Sequence, residues 1–144
     1  MFSKACEYGL KASIFIANHS ERNEMLSLKD ISKAIASPEA FTSKILQQLV
    51  KSQIVISKKG YTGGFEINKN ELHSIKLSRI VLAFDGDNIY KACGLGLKEC
   101  NPDEPCPVHD RFKIVRDELK EMLENTSIYE LTKGLNTGMT FLTR

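Results

Sequence analysis

The chain has 144 residues, of which 42% are hydrophobic and 26% charged, with a formal net charge of +2. Those proportions fit one globular domain with enough apolar side chain to form a core without disulfide support. They exclude a membrane helix, since no run approaches roughly 18 consecutive apolar residues. The opening MFSKACEYGLKASIFIA is interrupted by Glu7 and Lys11 and has no signal-peptide layout. A cytoplasmic protein with no membrane partner is expected, in a compartment where thiols stay reduced. The charge is uneven: residues 1–70 hold ten Lys/Arg against six Asp/Glu, and residues 71–144 hold ten against twelve. The basic half favours a polyanion partner.

Residues 3–19 have helical spacing, with Leu10, Ile14 and Ala17 recurring at three- and four-residue steps. Cys6 lies alone on that helix and reads as a small buried hydrophobe. After the polar break HSERNEM, Ser27 and Asp30 in SLKD form a capping-box pattern for a short helix over 28–36. Ser37 and Pro38 signal the next start, with Ser37 as cap and Pro38 in the first helical position. That helix, reaching about Ser52, would bury Phe41, Ile45, Leu46 and Leu49. Ile54–Ser57 and Phe65–Ile67 flank a turn rich in glycine and lysine, predicting a β-hairpin. A further helix is predicted over 74–86 and a long one over 107–126, with Phe112, Val115, Leu119 and Met122 as its apolar stripe. Ser127 and Glu130 form another capping box, so a last short helix begins there.

Helix, short helix, turn, helix and basic hairpin, in that order, describe a winged helix-turn-helix. The expected fold is therefore mainly α with a small β-hairpin wing, ending in a long C-terminal helix. The second helix of the pair would present Ser43, Lys44 and Gln47 to base edges, with Thr42 and Gln48 as further candidates. Lys58 and Lys59 at the wing would reach phosphates or the minor groove, with Tyr61 beside them.

Between the two halves lies ACGLGLKECNPDEPCPVHD, with Cys93, Cys100, Cys106 and His109 in the spacing C-x6-C-x5-C-x2-H. Structural zinc sites use shorter gaps within each cysteine pair. Iron–sulfur clusters are larger than one ion and bind through cysteine thiolates. A three-thiol cluster needs a fourth ligand, from His109 or from an oxygen or nitrogen donor elsewhere. The competing reading is a cluster-free DNA-binding regulator switched by thiol oxidation to a disulfide, by zinc or by a small ligand. The chain has no phosphate-binding Walker sequence, dinucleotide glycine fingerprint or GxSxG elbow, so an enzyme is not expected.

These segments resemble the Rrf2 family of bacterial transcription regulators, from EYGLKASIFIA through SLKDISKAI, FTSKILQQLVKSQIV and SKKGYTGGFEI to the three cysteines and the helix at 107–126. The resemblance implies a homodimer whose long helix crosses to the other subunit, placing Phe112, Val115, Leu119 and Met122 at the dimer interface. It implies double-stranded DNA as partner, with two winged helices on successive major grooves of a palindromic operator. It implies an iron–sulfur cluster on the three cysteines. In the family's cluster-biogenesis type the fourth ligand corresponds to His109, which suits a 2Fe–2S cluster. In its nitric-oxide-sensing type the ligand corresponds to Glu7 of the partner subunit, which suits 4Fe–4S. The expected organisation is a DNA-binding domain over 1–86, a cluster-binding loop over 87–109 and a dimerisation helix with tail over 110–144.

Overall fold

The computed structural model describes residues 1–144 and contains seven α-helices, one two-stranded sheet and one 3₁₀ turn. Helix α1 spans Lys4–Ser20. Ser3 caps it by accepting from the Cys6 N–H, and its own N–H and hydroxyl donate to Asp85. Helix α2, Leu28–Ala34, starts on the predicted box: Ser27 accepts from the Asp30 N–H while the Asp30 side chain accepts from the Ser27 N–H. Two otherwise unpaired donors of the first turn are satisfied reciprocally.

Helix α3 spans Glu39–Lys51 and differs from expectation at its start. Pro38, not Ser37, occupies the N-cap position, and no side chain caps the helix. Ser37 lies one residue too early, and its hydroxyl reaches only the Pro38 carbonyl, at 3.5 Å. At the other end Gln53 takes a left-handed backbone (φ 59°), as residues closing helices often do. The Ile54 and Val55 N–H groups then donate back to the Leu49 carbonyl. Those two residues are buried against the core, so the first strand begins later than the sequence implies.

Strands β1, Ile56–Lys58, and β2, Gly64–Glu66, pair antiparallel with Ser57 opposite Phe65. Leu26 adds a single bridge to Phe65 through two backbone hydrogen bonds of 2.8 and 3.2 Å, which ties the wing to the entrance of α2. Gly64 makes this approach possible. Its φ is 143°, and a Cβ there would stand 2.6 Å from the Leu26 carbonyl oxygen.

A 3₁₀ turn at Lys69–Glu71 precedes helix α4, Leu77–Asp85. The helix starts three residues later than predicted because Lys76 is extended, bridging Ser127, while the Leu77 N–H donates to the Thr126 carbonyl. Helix α5, Asn88–Lys91, is too short to carry a periodic signal. The cysteine loop follows, then helix α6, His109–Asn125. Pro105 and Pro107 favour extended backbone just before that helix. Helix α7, Ile128–Asn136, starts on the Ser127–Glu130 box and packs on α1.

One cluster of twenty buried apolar residues holds these parts together. Ile16, Ile31, Leu46, Ile80, Leu123 and Ile128 are each nearly or fully shielded. Burying such a side chain contributes about 1.5–3 kcal/mol. Leu123 and Ile128 belong to the same cluster as residues of α1 to α4, so α6 and α7 are anchored to the N-terminal half by apolar packing.

Candidate functional site

The polar face of α3 is narrower than its sequence suggests. Lys44 and Gln47 are exposed, and Ser43 is half-buried, with the Gln47 amide 3.4 Å from its hydroxyl. Thr42 must be removed from the set. It is fully buried, and its hydroxyl donates to the Pro38 carbonyl at 2.9 Å. Gln48 turns the other way, its amide donating to the Ala83 carbonyl at 2.9 Å, which fastens α3 to α4. Ser43, Gln47, Val50, Lys51, Ser57 and Phe65 line a cleft of about 380 Å³ between α3 and the wing. Lys51 belongs to this face. It follows Gln47 by four positions and Lys44 by seven, a helical spacing that marks the same side.

On the wing, Lys58 is ion-paired with Glu66 across the strands at 2.8 Å. Lys59 is exposed and Tyr61 wholly so. The hairpin tip therefore presents a large aromatic and an ammonium to solvent.

The loop between α5 and α6 brings its thiols together in pairs. The Cys93 and Cys106 sulfurs are 3.7 Å apart, and the Cys100 sulfur is 3.4 Å from Nδ1 of His109. Cys93 and His109 are buried, while Cys100 and Cys106 are half-buried. All four cysteines are free, and 3.7 Å is well beyond a disulfide bond length. Backbone N–H groups of Leu95 and Leu97 hold the Cys93 thiol below its usual pKa, aided by Cys106 and the Arg116 charge and opposed by burial. Arg116 donates to the Cys100 sulfur at 3.2 Å and to the Ala92 carbonyl.

No three Cys, His, Asp or Glu side chains converge as a single metal ion requires. That arrangement does not suit one structural zinc, which takes four ligands at one point. Tetrahedral metal–thiolate bonds of about 2.3 Å put two sulfurs about 3.8 Å apart, close to the Cys93–Cys106 separation.

Glu7 lies in the first turn of α1, paired with Lys4 at 2.9 Å, and that ammonium lowers its carboxyl pKa. Cys6 beside it is fully buried and apart from the thiol pairs. Burial, reinforced by the Asp85 charge, pushes its thiol up to about 12. Along α6 much of the apolar stripe is exposed. Phe112, Val115 and Met122 are 42%, 59% and 46% exposed, and Ile114 beside them 60%. Leu119, by contrast, is half-buried against the core. No helix is long and apolar enough to cross a membrane.

Comparison with known proteins places this geometry among transcription regulators. The Rrf2 family model, described as iron-dependent transcriptional regulators, matches residues 2–134. A putative HTH-type transcriptional regulator from Aquifex aeolicus is 29% identical over 133 residues, covering 91% of this chain and 90% of that protein. The HTH-type transcriptional regulator IscR of Pectobacterium atrosepticum is 25% identical over 127 residues, covering 88% and 76%. Among solved structures, CymR, the global cysteine regulator of B. subtilis, aligns with a TM-score of 0.75 at 23% identity, covering 92% of this chain and 96% of that one. IscR of T. potens aligns at 0.73 with 19% identity, covering 97% and 91%. These structures share the winged-helix fold.

Proposed function

The chain belongs to the Rrf2 family of transcriptional regulators, and from that premise we propose that it is a cytoplasmic homodimer whose operator affinity is set by an iron–sulfur cluster in the 93–109 loop. The observation that carries this reading is the two-by-two arrangement of donors. Cys93 with Cys106 at 3.7 Å, and Cys100 with His109 at 3.4 Å, would together hold a 2Fe–2S cluster. His109 is buried, and its Nδ1 faces the sulfur it would share the site with. Glu7 of the partner subunit is the other candidate for the fourth position, and would suit 4Fe–4S. When bound, the cluster supplies a redox-active, iron- and oxidant-sensitive centre.

The protein's own residues supply the rest. The Leu95 and Leu97 N–H groups, with the Arg116 charge, favour the Cys93 thiolate over its thiol. Lys44, Gln47 and Ser43, with Lys51, form the surface offered to the major groove, and Lys59 and Tyr61 the wing contact. The exposed face of α6, Phe112 with Val115 and Met122, is where a second copy would pack, setting two winged helices on a palindromic operator of double-stranded DNA. A link between loop and DNA head runs through α5 and α4 to Gln48, which holds α3 to the Ala83 carbonyl.

The test is anaerobic purification of wild type, His109→Ala and Glu7→Ala, with iron, acid-labile sulfide and the visible spectrum measured on each. A coloured wild type with matched iron and sulfide is expected, and loss or remodelling of the spectrum in His109→Ala but not Glu7→Ala. A colourless protein after anaerobic reconstitution would contradict the reading.

One observation favours a second reading. The 3.7 Å Cys93–Cys106 separation also suits a disulfide switch in a cluster-free regulator. A peroxide would accept the two electrons, the thiols would release two protons, and one S–S bond would form. Mass loss of two hydrogens at these cysteines, with wild-type operator binding in metal-free reduced protein, would mark that case.

A further inference from the structure

We propose that Arg116 is a positioning residue that couples the state of the cysteine loop to α6. Its sensing role rests on the cluster reading, whereas its link to the helix rests on hydrogen-bond geometry alone. Arg116 lies within α6, yet its side chain turns into the loop. One guanidinium nitrogen donates to the Ala92 carbonyl, which precedes Cys93, and another to the Cys100 sulfur at 3.2 Å. A single side chain therefore clasps the first stem of the loop and its middle thiol.

The electrostatics are unusual for a surface helix. No carboxylate forms an ion pair with Arg116: the adjacent Asp117 is held by Lys113 at 2.6 Å. The Arg116 Nε is buried and has no hydrogen-bond partner. A partly buried cation without a carboxylate needs another counter-charge. Its two hydrogen bonds go to the Cys100 sulfur and the neutral Ala92 carbonyl, so an anionic, cysteine-ligated cluster would supply the counter-charge.

A second contact on α6 reaches the same end of the loop. The Phe112 ring, one turn before Arg116, lies over Gly94, where an added Cβ would meet ring carbons at 2.6 Å. Helix α6 thus touches the chain on both sides of Cys93, by a charged fork at Ala92 and an aromatic face at Gly94. Phe112 also belongs to the exposed face assigned to the second subunit. A change in charge or geometry at the sulfurs alters what Arg116 holds and reaches that face within one helical turn. Arginine suits the task because its rigid fork spans two acceptors, which a lysine ammonium does not.

The test compares the 144-residue chain as wild type, Arg116→Lys and Arg116→Gln. In metal-free, reduced protein, hydrogen–deuterium exchange should quicken at least tenfold over residues 92–100 in Arg116→Gln, with rates in α1 to α4 within twofold of wild type. Unchanged exchange over 92–100, or acceleration shared by α1 to α4, would overturn the link. In cluster-loaded protein, the midpoint potential should fall in Arg116→Gln and stay close to wild type in Arg116→Lys, which keeps the charge. A wild-type potential in Arg116→Gln would overturn the charge role. If wild type takes up no iron, the cluster reading has failed and exchange alone decides the link.

Discussion

Single residues in this chain show how one side-chain type is given opposite properties. Cys6 and Cys93 are both thiols with little exposure, yet their protons are held differently. Cys6 sits among apolar residues near Asp85, and its thiol is pushed up to about 12. Cys93 faces the Leu95 and Leu97 N–H groups, and its thiol is lowered. Alkylation of the native, metal-free protein should therefore modify the loop cysteines well before Cys6, and peptide mapping checks the order. The Cys6 shift has a stability consequence. A folded pKa above the ordinary 9.0 means that the native state holds its proton longer than the unfolded chain. Its stabilising contribution is complete below pH 9.0 and is lost as pH rises towards about 12. Urea midpoints measured at pH 8 and pH 10.5 should fall for wild type, and fall less for Cys6→Ala.

At the scale of elements, α3 and its wing decide which polar residues are available to DNA. Gln47→Ala should lower operator affinity by about 1–3 kcal/mol and relax preference at one base pair. Thr42→Val keeps the size of a buried side chain and should leave DNA affinity within about twofold, its cost appearing in stability through the lost bond to Pro38. Lys59→Ala should weaken binding to all sequences alike and reduce the salt-dependence slope by about 1. Fluorescence anisotropy across a salt series separates these outcomes. For α6, charge placed on the uncovered face should split the dimer: Val115→Asp and Met122→Asp are expected to sediment as monomers with unchanged helical content.

At the scale of the whole molecule, the element order was readable because most boundaries carried their own chemistry. Ser27 with Asp30 and Ser127 with Glu130 specify helix starts by reciprocal capping, and both boxes form. The glycines of the wing permit a turn and the close approach to Leu26. Thr42 and Gln48 were misleading because a polar residue that bonds a backbone carbonyl inside a helix packing has the same sequence signature as one facing solvent. Arg116 was invisible for a related reason. It lies among charges on an amphipathic helix, and its acceptors are 16 and 24 residues away in an irregular loop. The three cysteines stood out in the sequence, but their arrangement as Cys93 with Cys106 and Cys100 with His109 was not legible from spacing. The central claim is that this site governs DNA binding, and operator affinity of the same dimer preparation measured anaerobically with its cluster and after its removal tests it most directly. A change of about 5- to 150-fold, the range of a 1–3 kcal/mol coupling, is the predicted result, and equal affinities for the two forms would contradict the account.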